Sequence, residues 1–166
     1  MEETFVMIKP DGFRKKIFKN VMERMLDLGL SIKDVHIVNL NDDFIKEHYA
    51  HLVDKPFFPH LQEFMLSGPI ISMTVFGDDA INKVRTLMGA TNPNKAEKGT
   101  IRYIYGNKED VTCNVMHASD SKENALIELN RFNKYKKVLL KRKSNLKWYD
   151  KSRQCQKDNQ STFLIQ

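Results

Sequence analysis

A histidine set among small polar residues invites covalent chemistry, and this chain carries one in the run NVMHASDS, Asn114 to Ser121. Neutral imidazole is a nucleophile, and the phosphoramidate it forms stays energy-rich enough to pass its phosphoryl group on. His117 follows an apolar, strand-like stretch and has Ser119 and Asp120 beside it. A helix-like segment, Lys122 to Phe132, comes next. A histidine held at a strand end next to such partners suits nucleophilic catalysis. The plain alternative is a hydrogen-bonded histidine in a turn, and only the rest of the chain decides between the two.

One chemistry ties several other segments to this one. Lys9 ends the first apolar run, Arg85 sits late in a helical stretch, Thr91 lies in a Gly/Pro-rich loop, Arg102 follows that loop, and Asn114 precedes His117 by three residues. Lysine and arginine are the usual partners of anionic oxygens, and arginine grips two at once. Thr91 and Asn114 offer neutral hydrogen bonds. Taken singly, each reads equally well as a solvated charge or a turn residue. The chain has no GxxxxGK[ST] and no GxGxxG. A phosphate site would therefore be built from side chains and not from a glycine-rich backbone cradle.

The elements that must position these residues follow from periodicity and punctuation. Thr4 to Ile8 is apolar and β-prone and stops at Lys9-Pro10-Asp11-Gly12, which reads as a buried strand and a turn. Ile17, Val21, Met25 and Leu28 recur at helical spacing until Gly29. Leu30 to Leu40 alternates as a second strand. Asp42 or Asp43 caps a helix through Phe44, His48 and His51 that Pro56 interrupts, and His60 to Leu66 forms a short helix. Ile70 to Phe76 is a third strand, and Asp78 or Asp79 caps a helix to about Leu87. Gly89 to Gly99 reads as a long loop, Thr112 to Met116 as a fourth strand, and Lys122 to Phe132 as the last helix. This order predicts an α+β fold with a ferredoxin-like antiparallel sheet and flanking helices.

The charge distribution marks a boundary. Residues 133–166 hold 10 Lys/Arg and 2 Asp/Glu, against 17 and 19 in residues 1–132, so the overall +6 resides in a basic C-terminal extension. We divide the chain there, into a domain of residues 1–132 and an extension of residues 133–166. No apolar run approaches the ~20 residues that span a bilayer. No secretory leader is apparent at MEETFVMIKPDG. Two cysteines, Cys113 and Cys155, are too few for a disulfide framework. A cytoplasmic, reducing setting is expected.

Together these segments resemble the nucleoside diphosphate kinase family. The resemblance covers residues 3 to 132 and rests on TFVMIKPDG, HYAHLVDKPFFP, FMLSGPI, GATNP, GTIR and NVMHASDS, in that order. It implies ping-pong transfer of the γ-phosphate of a nucleoside triphosphate, mainly ATP, to a nucleoside diphosphate through a phosphohistidine on His117. It places Arg85, Thr91 and Arg102 on the phosphates and the Tyr49 hydroxyl near the transferring group. Lys9 and Asn114 go to the sugar 3′-hydroxyl, with Lys9 also near the phosphoryl group. Glu128 orients the imidazole and Ser119 helps it. Phe57 stacks on the base, with Leu61 adding apolar contact, and stacking implies broad base tolerance. Mg²⁺ arrives with the nucleotide phosphates and needs no dedicated metal site, with Asp120 steering a metal-bound water or a loop arginine. The family assembles as hexamers or tetramers built from dimers, so a homo-oligomer is implied.

The chain departs from the family pattern in places. The stretch YIYGNKEDVTC between Arg102 and Asn114 is two residues longer than usual, which bears on the base pocket. His60 stands where glycine is common, and Lys15-Lys16 replaces a usual Arg-Gly. His36, His48 and His51 are assigned to structure, and Phe58 to the core. The basic extension is open to three readings: a helix packed on the body or a neighbouring subunit, an arm for nucleic acid or anionic membrane, or a solvated tail. A rival for the whole chain is a nucleic-acid-binding module of the same fold, but IISMTVF lacks the aromatic signature such modules carry on the sheet. A third reading is a scaffold that has lost turnover through the longer stretch before Asn114. The presence of His117, Lys9, Arg85, Arg102 and Glu128 opposes it.

Overall fold

The computed structural model describes residues 1–141. The strand β1 (Glu2–Ile8) runs through the middle of the molecule, with Phe5, Val6, Met7 and Ile8 all essentially inaccessible to solvent. Successive strand side chains point to opposite faces, so an unbroken apolar run fits only a strand buried on both sides. Val6 and Ile8 enter one hydrophobic cluster, and Phe5 and Met7 enter another. The four-stranded sheet has the order β2-β3-β1-β4, with β2 (Ser31–Val38), β3 (Ile70–Gly77) and β4 (Met116–Ala118). Each paired strand is antiparallel to its neighbour. This is the ferredoxin-like arrangement predicted.

Helices cover both faces. The first cluster gathers Val21 and Met25 of α2 (Phe18–Asp27) and Val84, Leu87 and Met88 of α5 (Ala80–Met88). The second gathers Phe44 and Ile45 of α3 (Asp42–His48), Phe58, Leu61, Phe64 and Met65 of α4 (Phe58–Leu66), and Phe132 and Leu139 of α7 (Lys122–Lys141). Gly29, at φ +74, turns the chain out of α2 as a left-handed residue after a helix end does.

Two short helices were not anticipated. α1 (Pro10–Arg14) opens with proline at its first position, where the missing N–H costs nothing, and occupies the predicted turn. α6 (Ile101–Tyr105) follows Thr100. The cap of α3 is Asn41, whose side chain accepts from the Phe44 N–H, and neither of the aspartates expected there fills that role.

The last two elements differ from expectation in their bounds. β4 covers Met116–Ala118 and not Thr112 to Met116, because the preceding backbone is committed to local turns. Asn107 Oδ1 accepts from the N–H groups of Glu109 and Asp110, Asp110 Oδ1 accepts from the Thr112 N–H, and Cys113 N–H bonds to the Asp110 carbonyl. Such side-chain partners compete with a strand ladder. α7 runs past Phe132 to Lys141 without a break. Buried Leu139 fastens its second half, as do Lys134 and the Tyr135 hydroxyl, which reach Glu47 of α3 at 2.9 and 2.8 Å. The basic sequence from residue 142 onward, with Trp148 and Cys155, lies outside the described residues.

Candidate active site

His117 stands in the middle of β4, opposite Met7 of the central strand. Just before it, Val115 adopts φ +64, a left-handed conformation that a β-branched residue takes only under constraint. The constraint is visible: the Val115 N–H donates to Asp11 Oδ2 at 3.1 Å, and its carbonyl accepts from the Lys9 N–H at 2.9 Å. Gly12 makes room, since a Cβ there would lie 2.6 Å from the Val115 oxygen. The KPDG turn is thus the mould against which the histidine segment is pressed.

The imidazole is oriented by a carboxylate. His117 Nε2 lies 3.0 Å from both oxygens of Glu128, on the second turn of α7. An ionised carboxylate only accepts, so Nε2 carries the proton and Nδ1 keeps its lone pair. The Ser119 hydroxyl donates to Glu128 Oε2 at 2.6 Å and accepts from the Phe5 N–H at 3.2 Å, which fixes the carboxylate from behind. The His117 side chain is 22% exposed, open enough for attack and sheltered enough to hold one orientation.

A third residue joins this pair that the sequence had suggested was merely structural. The rings of His48 and His117 stand 4.7 Å apart at 73°, and His48 Nε2 is 4.0 Å from Glu128 Oε1. Burial, reinforced by His117 and Arg131, lowers the His48 pKa far below its ordinary value, so this imidazole is neutral. His48 precedes Tyr49 in the chain, and that adjacency was the one signal available. The Tyr49 hydroxyl is buried without a hydrogen-bond partner among the described residues, and burial, with Glu128 adding to it, raises its pKa and keeps it protonated. A buried donor of this kind is available to an acceptor from outside the protein.

The cations gather on the same side. Lys9 is buried, and its ammonium donates to Asn114 Oδ1 at 2.7 Å and to the Thr112 carbonyl at 3.4 Å. Burial, with Arg102 adding and Asp11 opposing, brings its pKa down to about 8. Asn114 in turn donates to the Thr91 carbonyl at 3.0 Å, tying strand end, loop and lysine together. Arg102 donates to the carbonyls of Gly89 at 3.1 Å and Met116 at 2.9 Å, and reaches Thr91 Oγ1 at 3.5 Å, while its Nε has no partner among the described residues. Its pKa falls to about 10, chiefly by burial and then by Arg85 nearby. Arg85 and Thr91 are exposed. Lys9, Arg85, Thr91, Arg102 and Asn114 are therefore brought together as one cluster beside His117, a surplus of positive charge that suits phosphates.

Phe57, at the start of α4, is 49% exposed, so about half of this aromatic residue is open to solvent. Leu61 is only 5% exposed and packs in the core with Phe58 and Phe64, so it backs this surface instead of facing solvent. Asp120 accepts from Asn124 at 2.6 Å, and that bond, followed by Arg85 and His117, holds its carboxyl below the usual range. Among the described residues, the one group of potential metal ligands is His48, His117 and Glu128. Two imidazoles suit a softer metal than magnesium. Magnesium favours oxygen donors and retains waters, so this trio does not match it.

A ferredoxin-like sheet presenting a carboxylate-oriented histidine to a ring of lysine, arginine and asparagine defines a phosphoryl-transfer protein. Comparison with known proteins narrows this. The family model for nucleoside diphosphate kinase matches residues 2–138. A nucleoside diphosphate kinase of Streptococcus agalactiae is 42% identical over 132 residues, covering 78% of this chain and 96% of that one. That of Symbiobacterium thermophilum is 44% identical over 129 residues, covering 78% and 85%. Among solved structures, the halophilic enzyme of Halobacterium salinarum in complex with CDP superposes with a TM-score of 0.75 at 39% identity, over 79% of this chain and 86% of that one. The apo enzyme of Encephalitozoon cuniculi gives 0.75 at 36%, over 80% and 88%. The chain belongs to the nucleoside diphosphate kinase family.

Proposed function

We propose that the protein transfers the γ-phosphoryl group of a nucleoside triphosphate to a nucleoside diphosphate by way of His117. The observation that carries this reading is the pair of 3.0 Å contacts between His117 Nε2 and Glu128, which leave Nδ1 as the attacking atom. Nδ1 forms a bond to the γ-phosphorus as the bond from that phosphorus to its bridging oxygen breaks, and the diphosphate leaves. A second diphosphate then takes the group from Nδ1 by the same steps in reverse. Charge spreads over the phosphoryl oxygens in the transition state, so catalysis is chiefly positioning and positive potential. Arg85, Arg102 and Thr91 hold the phosphates, the Tyr49 hydroxyl donates to the moving group, and Lys9 with Asn114 takes the 3′-hydroxyl. Glu128 stabilises the positive charge that develops on the ring, and Ser119 keeps Glu128 in place. Mg²⁺, bound to the nucleotide, would neutralise part of the phosphate charge.

The base lies on Phe57, which grips by stacking and so accepts any base. The Halobacterium relative's structure in complex with CDP supports a nucleotide as the class of ligand. Assembly as a homo-oligomer and residence in the cytoplasm belong to the same reading. Among the described residues, no helix is long and apolar enough to cross a membrane.

The test is incubation with γ-labelled ATP and no acceptor. The reading expects an acid-labile, base-stable phosphoprotein that discharges on adding GDP and is absent in His117→Ala. Label that persists in His117→Ala overturns it.

A further inference from the structure

Two features that set this chain apart meet each other. His60, on the first turn of α4, and Asp110, in the lengthened stretch before Asn114, form a side-chain hydrogen bond of 2.8 Å between His60 Nε2 and Asp110 Oδ2. We propose that this pair is a clasp that joins the Phe57 platform to the 107–113 turn and thereby sets how the nucleotide base is gripped. The inference rests on the placement of the base at Phe57 given above.

Position carries the argument. His60 follows Phe57 by three residues, one helical turn, so the histidine anchors the same end of α4 that presents the aromatic face. Asp110 is next to Val111, and Phe57 and Val111 are both about half exposed, at 49% and 46%. The clasp therefore spans the two elements that carry these uncovered apolar side chains. Beneath it, Cys113 of the turn shares a buried apolar cluster with Phe58, Leu61 and Phe64 of α4, so the clasp is the polar, outer part of this junction.

Asp110 is well built for the task. Its Oδ1 accepts from the Thr112 N–H at 2.9 Å, and its Oδ2 accepts from the Cys113 thiol at 3.4 Å as well as facing His60. Partial burial pushes its pKa up, but the hydrogen bonds from His60, Thr112 and Cys113 outweigh that and keep it ionised. The turn is fastened on its other sides as well. Asn94 donates to the Lys108 carbonyl at 2.7 Å, and Lys9 donates to the Thr112 carbonyl at 3.4 Å. His60 adds the polar tie on the side that faces the platform. An exposed pair of this kind adds little to global stability, so its effect is confined to the junction it joins.

The experiment measures kcat and KM for ADP, GDP and CDP with saturating ATP in His60→Ala, His60→Gln, Asp110→Asn and Phe57→Ala. The clasp predicts that His60→Ala raises KM for all three acceptors by about three- to tenfold, a change that one lost hydrogen bond supports, with kcat within about twofold. His60→Gln keeps a donor and recovers most of the affinity. Unchanged KM in His60→Ala, or a fall in kcat alone, overturns the proposal. Asp110→Asn raising KM only when His60 is present, as a double-mutant cycle reads it, confirms direct coupling. Phe57→Ala separates the two readings. If it raises KM while His60→Ala does not, the clasp fails and the platform stands. If it leaves KM unchanged, the base lies elsewhere and the clasp falls with the platform.

Discussion

Arg131 donates a hydrogen bond to Nδ1 of His48 at 3.4 Å. A guanidinium has no acceptor, so this contact fixes the tautomer: the His48 proton sits on Nε2, the nitrogen that looks toward Glu128. The same bond closes Nδ1 to a metal. Arg131 is itself oriented by Glu47, whose Oε1 lies 3.6 Å from Nε. The glutamate that orients the nucleophile thus has a second imidazole dipole pointed at it. We expect His48→Phe, which preserves the ring packing on Phe44 but removes the N–H, to lower kcat about fivefold, or ~1 kcal/mol, with little change in KM. Steady-state kinetics on a variant shown to be folded by circular dichroism checks this; an unchanged kcat would reduce His48 to a packing residue.

Glu128→Gln keeps the shape of the side chain and loses its charge and its strict acceptor character. Its amide nitrogen would face either His117 or Ser119, both of which donate now. Phosphorylation of His117 should slow on the order of tenfold or more, as mis-set tautomers do elsewhere. Single-turnover labelling reads that rate directly.

Lys9 gives a pH signature. With its pKa lowered to about 8 by burial, it loses charge in the free protein as pH rises through that value. A phosphate placed beside it raises the pKa again, so nucleotide binding takes up a proton near pH 8 and weakens above it. Calorimetry in buffers of different ionisation enthalpy measures this uptake, and Lys9→Met should abolish it. Stability moves the opposite way. Between about 8 and the ordinary lysine value the unfolded chain holds more proton than the folded one, so folding gains as pH rises across that window.

Gly12→Ala should damage both stability and activity. The added carbon would meet the Val115 oxygen at 2.6 Å and Ile8 Cγ2 at 2.8 Å, neither of which is a flexible chain end. Overpacking of this kind costs about 1–3 kcal/mol, which a fall in melting temperature would report. Because Val115 leads into His117, the loss of activity should exceed the unfolded fraction. A fully active, less stable variant would show that the mould does not set the histidine.

Part of the candidate site was legible in the sequence because its residues sit at the ends of elements with plain signals. Lys9 follows a strand, and the β1 pattern of uninterrupted apolar residues left one placement, whereas Glu128, eleven residues past His117, was reached only through the family resemblance. What stayed hidden depended on tertiary contact. His48 reads as one more residue of a helix until α7 brings Glu128 and Arg131 against it. β4 was misplaced since the side chains of Asn107 and Asp110, which divert the backbone from the ladder, reveal nothing of their partners in sequence. α7 was cut short at Phe132 because the rise in positive charge looked like a boundary, whereas Leu139 and the Glu47 contacts hold the helix onward. Leu61, which the resemblance set against the base, is buried with Phe58 and Phe64.

α7 also works as a ruler. From Glu128 to Lys141 the helix advances thirteen residues, about 20 Å at the ordinary rise per residue. Glu128, which orients the nucleophile, and Lys141 are therefore two points on one rod, at a separation fixed by backbone geometry. A spectroscopic label placed at position 141 would sit within resonance-transfer range of a fluorescent nucleotide and outside its contact radius, turning this helix into a built-in gauge of occupancy.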